Sequence, residues 1–170
     1  MKDKDPIAEF FDDRRADIEQ MGADEVMRAK SLDWMLHADK YKYTYNYTWM
    51  GRPIIQYPQD IVAMQELIWE VKPDLIIETG IAHGGSLIFS ASMLALLDMT
   101  EAIEAGASFD PSQTQRKVLG IDIDIRAHNR EAIDAHPMRS RIDMIQGSSI
   151  SDEVIRQVQA YAAGYKKILV

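Results

Sequence analysis

The segment DLIIETGIAHGGS, Asp74 to Ser86, constrains the fold more than any other stretch of this chain. A short apolar run, Leu75 to Ile77, reads as a buried strand ending in an acid, Glu78, and a glycine-rich turn that contains Gly80, Ala82, His83, Gly84 and Gly85. Leu87 to Leu97 then reads as an apolar helix. Strand, glycine turn and helix N-terminus together make the ligand cradle of an open α/β sheet, with backbone N–H groups facing the crevice. Glu78 sets this copy apart. A carboxylate at the strand tip repels a pyrophosphate but suits an ammonium or sulfonium, which points to S-adenosylmethionine rather than a dinucleotide.

After Pro73 the pattern alternates. Strands are predicted at 75–78, 118–122, 142–146 and 167–170, and helices at 85–97, 128–135 and 152–163. This is the signature of an α/β fold, a doubly wound, mostly parallel Rossmann-like sheet with right-handed crossovers. Residues 98–117 read as a surface insertion that lengthens the first crossover by roughly one helical turn plus a loop. The fourth strand belongs beside the first, near the sheet centre, and the chain stops inside it at KKILV. The expectation is that a C-terminal half of the fold lies beyond Val170, or that a partner covers the open edge.

Ahead of Pro73, residues 6 to about 37 are predicted as one or two helices. Ile7, Phe10, Phe11, Ile18 and Met21 recur at helical spacing, and Gly22 breaks the pattern. The run KYKYTYNYTW places Tyr41, Tyr43, Tyr45 and Tyr47 at period two, which favours an extended segment. Its roles could be a substrate lid, a dimer surface or an edge strand over the core, since tyrosine buries large area and keeps a polar handle. GRPIIQYPQD is too polar for core and too bent for a strand, so it reads as a structured loop near the ligand mouth. A helix starting near Gln59 or Asp60 turns Ile61, Met64, Leu67, Ile68 and Val71 to one face. The chain divides accordingly into an N-terminal helical and aromatic extension, 1–58, and the N-terminal part of a Rossmann-like domain, 59–170.

Composition narrows the function classes. The chain has 170 residues, 46% hydrophobic and 27% charged, as expected of one globular domain. Formal net charge is −8 with no stripe of Lys and Arg, which argues against nucleic-acid or anionic-membrane partners. There are no cysteines, so disulfides, thiolate catalysis and Cys-based zinc sites are excluded. The N-terminus lacks an apolar signal core, and no segment approaches the ~20 apolar residues that span a bilayer. A soluble cytoplasmic protein with a small-molecule substrate is the expectation, with homo-oligomerisation left open.

Two further clusters follow strands. In VLGIDIDIR, four apolar or small residues lead into Asp122, with Asp124 two residues on. An acid at the tip of the second strand grips ribose hydroxyls in such folds, through charged hydrogen bonds worth roughly 1.5–3 kcal/mol each. The plainer alternative for an isolated Asp is a helix N-cap. In IQGSS, Gly147, Ser148 and Ser149 follow the third strand where an adenine edge would lie, although Ser149 with Asp152 also fits a capping box. In the first turn, Gly80 permits the sharp bend, Gly84 and Gly85 let backbone approach a ligand, and Ser86 caps or bonds near the helix start. His83 is the one candidate for direct chemistry, weighed against a solvated loop histidine. His37-Ala38-Asp39 matches half of a two-histidine, one-carboxylate iron site, but such sites sit on all-β scaffolds and the match is accidental.

Taken in this order, GRPIIQYPQD, DLIIETGIAHGGS, VLGIDIDIR and IQGSS closely resemble the cephalosporin hydroxylase family, which takes in rhamnosyl O-methyltransferase-like proteins. The likeness runs from about Tyr41 to Val170. It implies the fold of class I S-adenosylmethionine-dependent methyltransferases and methyl transfer to a hydroxyl of a sugar or small natural product. By position it implies Glu78, Gly80 and Gly84 to Ser86 around the methionine part of the cofactor, Asp122 on the ribose, and Gly147 to Ser149 beside the adenine. It also implies a magnesium ion whose carboxylate ligands follow the fourth and fifth strands, beyond Val170, so no metal ligand is expected within this chain. Two rival readings remain. A nicotinamide- or flavin-dependent oxidoreductase is opposed by Glu78, by the lack of a clean G-x-G-x-x-G, and by an acid far more than ~20 residues past the turn. A non-catalytic cofactor-binding or assembly module is the other.

Overall fold

The computed structural model describes residues 5–111 and 113–170. The chain forms two compact units that divide after Tyr43. The first holds helices α1 (Pro6–Ala23) and α2 (Glu25–Asp39). An aspartate starts each: Asp5 accepts from the N–H of Ile7 at 3.1 Å, and Asp24 from that of Met27 at 2.9 Å. The break therefore falls at Asp24 rather than at Gly22, because a carboxylate satisfying the first amides of α2 defines the boundary better than a glycine inside α1. Neither helix contains a buried residue, and Phe10, Phe11, Val26, Trp34 and Leu36 are all exposed.

The second unit, Thr44–Val170, begins with a hairpin of β1 (Tyr47–Trp49) and β2 (Arg52–Ile54). Met50 and Gly51 form its tip with φ of 44° and 83°, the left-handed pair that suits the twist of a two-stranded ribbon. Then follow α3 (Pro58–Val71), β3 (Leu75–Thr79), α4 (Gly85–Glu104), β4 (Lys117–Asp122), α5 (Ala127–Asp134), β5 (Ile142–Gln146), α6 (Asp152–Ala162) and β6 (Ile168–Leu169). The last four strands form one parallel sheet in the order β5-β4-β3-β6. This is the doubly wound α/β architecture that the strand–helix alternation predicts, with the fourth strand beside the first.

Both faces of the sheet are covered, and the strands show it residue by residue. Ile76, Val118 and Ile142 join a core with Leu87, Ile88, Phe89 and Leu94 of α4, Ile68 of α3 and Ile133 of α5. Leu75, Ile77, Leu119 and Ile121 face the other way, against Val154 of α6. Each fully buried Leu, Ile or Phe contributes about 1.5–3 kcal/mol of transfer free energy. At Gly120 a Cβ would lie 2.8 Å from Leu87 Cδ2, so the missing side chain is what lets α4 approach β4.

Several expectations are corrected. Helix α4 continues past Leu97 to Glu104, about two turns further rather than one. The extension is anchored by charge: Asp98 pairs with Arg116 and with buried Arg141, and Glu101 lies 2.8 Å from Arg116. The tyrosine run is not extended throughout, because Lys42 takes a φ of 51° and Tyr43–Tyr45 form a 3-10 turn. Within GRPIIQYPQD, Arg52–Ile54 is a strand and Ile54 is 1% exposed, a core residue. Pro53 is tolerated there because it lies opposite Thr48 in a ribbon of only two strands. On α3, Ile61, Met64 and Ile68 meet the core, but Leu67 is 47% exposed and off that face. Finally, α4 is long and apolar enough to cross a membrane, contrary to the sequence reading, yet Leu87, Ile88, Phe89, Ala91, Leu94 and Leu97 of this helix are buried in the core of this sheet.

Asp74 ties the strand starts together. Its carboxylate accepts from the N–H groups of Lys166 at 2.9 Å and Lys167 at 2.8 Å, its own N–H donates to the Lys167 carbonyl, and its carbonyl accepts from Lys117 N–H at 3.0 Å. Burial works against the charge, but the two lysine amides hold the carboxyl below its usual range. The folded state therefore binds fewer protons than the unfolded chain in acid, so stability from Asp74 is present above about pH 4 and lost as pH falls through the lowered value. Asp74→Ala should cost about 1.5–3 kcal/mol in urea unfolding at pH 7. The variant's stability should also decline less steeply than the wild type's below pH 4.

Candidate functional site

The turn between β3 and α4 carries an unusual density of left-handed backbone. Gly80, Ala82 and Gly84 have φ of 88°, 46° and 81°. A Cβ on Gly80 would meet nothing within 4 Å, so its glycine answers to conformation alone. Gly84 and Gly85 differ. A Cβ on Gly84 would lie 2.5 Å from Ile133 Cδ1, and one on Gly85 would lie 2.2 Å from the carbonyl oxygen of Pro53. Protein occupies the space in which either Cβ would lie, so packing excludes a side chain at both positions. Gly84 is also the N-cap of α4 and offers no side chain to its first amides.

Asp122 sits at the end of β4 and closes on this turn. Its Oδ2 accepts from the N–H groups of Ile81 at 2.7 Å and Ala82 at 3.3 Å, and its Oδ1 from that of Asp124 at 3.1 Å. It is therefore no helix N-cap, since α5 begins after Arg126. Burial opposes its charge, yet the amides of Asp124, Ile81, Ala82 and Ile123 hold its carboxyl below the usual range. Asp122 lines a recess of about 280 Å³ with Ala82, His83, Asp124, Arg126 and Asn129. The Asp124 carboxylate is exposed and lies 3.9 Å from Arg126.

Glu78 is placed otherwise. The strand register pairs it with Gly120 rather than Asp122, so the two acids do not sit at equivalent tips, and Asp122 lies two positions further along. The Glu78 carboxylate turns to α4, where it accepts from Ser86 Oγ at 2.7 Å and Ser90 Oγ at 3.3 Å. Burial pushes its carboxyl above the usual range, with the two serines opposing. Glu78 is not among the residues lining the recess. Ser86, bonded to Glu78, positions that acid.

At the tip of β5, Gly147 donates its N–H to the Asp122 carbonyl at 2.8 Å, which brings the Gly147–Ser149 segment alongside the acid. The capping box is corrected: the N-cap of α6 is Ser151, whose Oγ accepts from Val154 N–H at 3.3 Å, and Ser149 is exposed. The Ser148 carbonyl is taken by Ser151.

Sequence reasoning missed Arg52 and Asn129. Asn129, 3% exposed, donates from Nδ2 to the Ala82 carbonyl at 2.8 Å. Arg52 donates from Nε and Nη2 to the His83 carbonyl at 2.9 and 2.7 Å. The only available signal was weak: an arginine set between Gly51 and Pro53, and a poor helix former, Asn129, inside α5. His83 faces the recess with Nδ1 at 3.4 Å from Asn129 Oδ1. His37 and Asp39 belong to α2, and among the described residues no group of three or more His, Asp or Glu is arranged to hold a metal.

Comparison with curated proteins gives no match. Among solved structures, a CmcI structure described as "Mg-SAM" is similar at 22% identity and a TM-score of 0.45, over 66% of this chain and 40% of that one. An apo CmcI structure is similar at 22% identity and a TM-score of 0.47, over 68% of this chain and 41% of that one. A CmcI structure with SAH follows at 20% identity and 0.40, over 68% and 58%. The chain thus spans less than two thirds of the length of each of these chains. Likeness at this level transfers no residue roles, and the assignment rests on sequence. The family model described as Rhamnosyl O-methyltransferase/CmcI matches residues 41–170, and the chain belongs to that family.

Proposed function

We propose that this chain binds S-adenosylmethionine and serves methyl transfer to a hydroxyl of a sugar or small natural product. The observation that carries the reading is Asp122: ionised, fixed by the amides of Ile81, Ala82 and Asp124, and open to a recess at the end of the strand next to β3. That arrangement suits a ribose diol, and family membership favours a nucleoside cofactor. The open space over Gly80, beside the uncapped start of α4, fits the methionine part. Gly147 to Ser149, adjacent to Asp122, flank the adenine in this reading.

The cofactor supplies an electrophilic methyl on a sulfonium. What the protein supplies is placement of the nucleoside and of the acceptor oxygen in line with it. Glu78 lies behind Ser86 rather than in the recess wall, so it acts through its field on the positive centre and by holding the first turn of α4. Asp122 holds the sugar, and Asp124 shares that role from the recess rim. His83 is the ring nearest the recess, within reach of Asn129 but with no partner arrangement of a general base. Magnesium finds no convergent set of donors among the described residues.

Two measurements test this. Titration calorimetry with S-adenosylhomocysteine should give micromolar affinity, with Asp122→Ala weakening it by about 10- to 100-fold. Absence of heat with folded protein would overturn the reading. Glu78→Gln should move stability and binding in opposite directions. Because burial raises the carboxyl of Glu78 above its unfolded value, stability falls as pH rises from the unfolded value to the raised one, and the cost is complete above it. The unliganded variant should therefore gain about 0.5–2 kcal/mol at pH 7 by thermal melt. It should also bind the sulfonium cofactor more weakly than the wild type.

A further inference from the structure

We propose that Arg52 and Asn129 are positioning residues that preset the turn Ile81–Gly84 for its ligand, an inference that rests on the cofactor-binding reading above. The turn departs from ordinary backbone at Ala82, a residue with a Cβ held at φ 46°, followed closely by Gly84 at φ 81°. Such a segment keeps its shape only if surrounding groups over-determine it. Asp122 fixes its amides at Ile81 and Ala82, and the clamp fixes its carbonyls.

The clamp has one consistent arrangement. Arg52 donates twice to the His83 carbonyl and, from Nη2, to Asn129 Oδ1 at 3.2 Å. Asn129 passes the polarity on by donating Nδ2 to the Ala82 carbonyl at 2.8 Å. A guanidinium can only donate and a carbonyl can only accept, so the Asn129 amide cannot flip. Two successive carbonyls are thus drawn to one side. Planar trans peptides then turn the N–H groups of His83 and Gly84 to the other, and the Gly84 N–H meets the Ile81 carbonyl at 2.7 Å.

The arginine is itself held rigidly. It belongs to β2, whose next residue presses its carbonyl into the space beside Gly85, and whose Ile54 is core. Through Arg52, the hairpin, the turn and α5 meet at one point. A lysine at this place would keep the charge but lose the planar fork that reaches two acceptors at once.

The test uses Arg52→Lys and Asn129→Asp, both close in size to the native residue, the second removing the donor to Ala82. Hydrogen exchange on ligand-free protein reads the turn, melting temperature reads the fold, and S-adenosylhomocysteine calorimetry reads the site. Each variant should exchange faster in a peptide spanning 79–87 with the rest of the sheet unchanged, and should bind about 10-fold more weakly. Its melting temperature should stay within about 2 °C of the wild type. Unchanged exchange in the turn, faster exchange across the whole sheet, or faster turn exchange with undiminished affinity would each overturn the proposal. If the wild type binds no S-adenosylhomocysteine, the cofactor reading fails, while the exchange comparison, which needs no ligand, still decides the clamp.

Discussion

One carboxylate at the end of β4 holds the turn that follows β3. Asp122 reaches two positions beyond the partner of Glu78 and takes the N–H groups of Ile81 and Ala82, which have no strand to pair with. Without that acceptor, a turn containing three left-handed residues would carry unpaired amides as well as backbone strain. The geometry of Asp122 depends in turn on the parallel register of β3 and β4. That register is fixed because alternate residues of each strand are committed to different cores. A shift by one residue would exchange Ile76 with Ile77 between faces and carry the acid out of reach. Site and core are thus parts of one constraint.

The sheet was legible in the sequence because it is buried on both sides. Runs such as Leu75–Ile77 and Val118–Ile121 need no partner to be recognised, and acids or glycines mark their ends. Asp122 was legible for the same reason. The offset of Glu78 was not, since register is a relation between strands and each strand alone shows only its tip. Nor could glycine reveal its own purpose: Gly80 answers to φ, Gly84 to Ile133 and Gly85 to Pro53, yet all three look alike in the sequence. The capping serine of α6 was ambiguous because Ser148, Ser149 and Ser151 crowd the same turn, and only backbone angles choose among them. Arg52 and Asn129 lie 77 positions apart, beyond the reach of any local pattern.

Burial and chemistry pull against each other at Glu78. A carboxylate so placed is less favourable in the empty fold than a neutral isostere, and the two serines of α4 offset only part of that cost. Asp122 stands at the opposite extreme, stabilised as an anion by amides it also organises. One acid is held charged by its surroundings, and burial disfavours the ionised form of the other.

The hairpin of β1 and β2 is anchored at several points. As a lid it would have to leave and return, but Trp49 packs edge-on against Phe89 with ring centroids 4.9 Å apart, and its indole N–H donates to Ser92 Oγ at 3.0 Å. Ile54 is buried, and the carbonyl of Pro53 fills the space that Gly85 leaves empty. Moving β1 and β2 would therefore open the core beside α4 and release Arg52 from His83 at once. A segment so anchored cannot serve as a gate. What it gives the turn after β3 is a fixed anchor, Arg52 on the His83 carbonyl, set in a strand that the core holds in place.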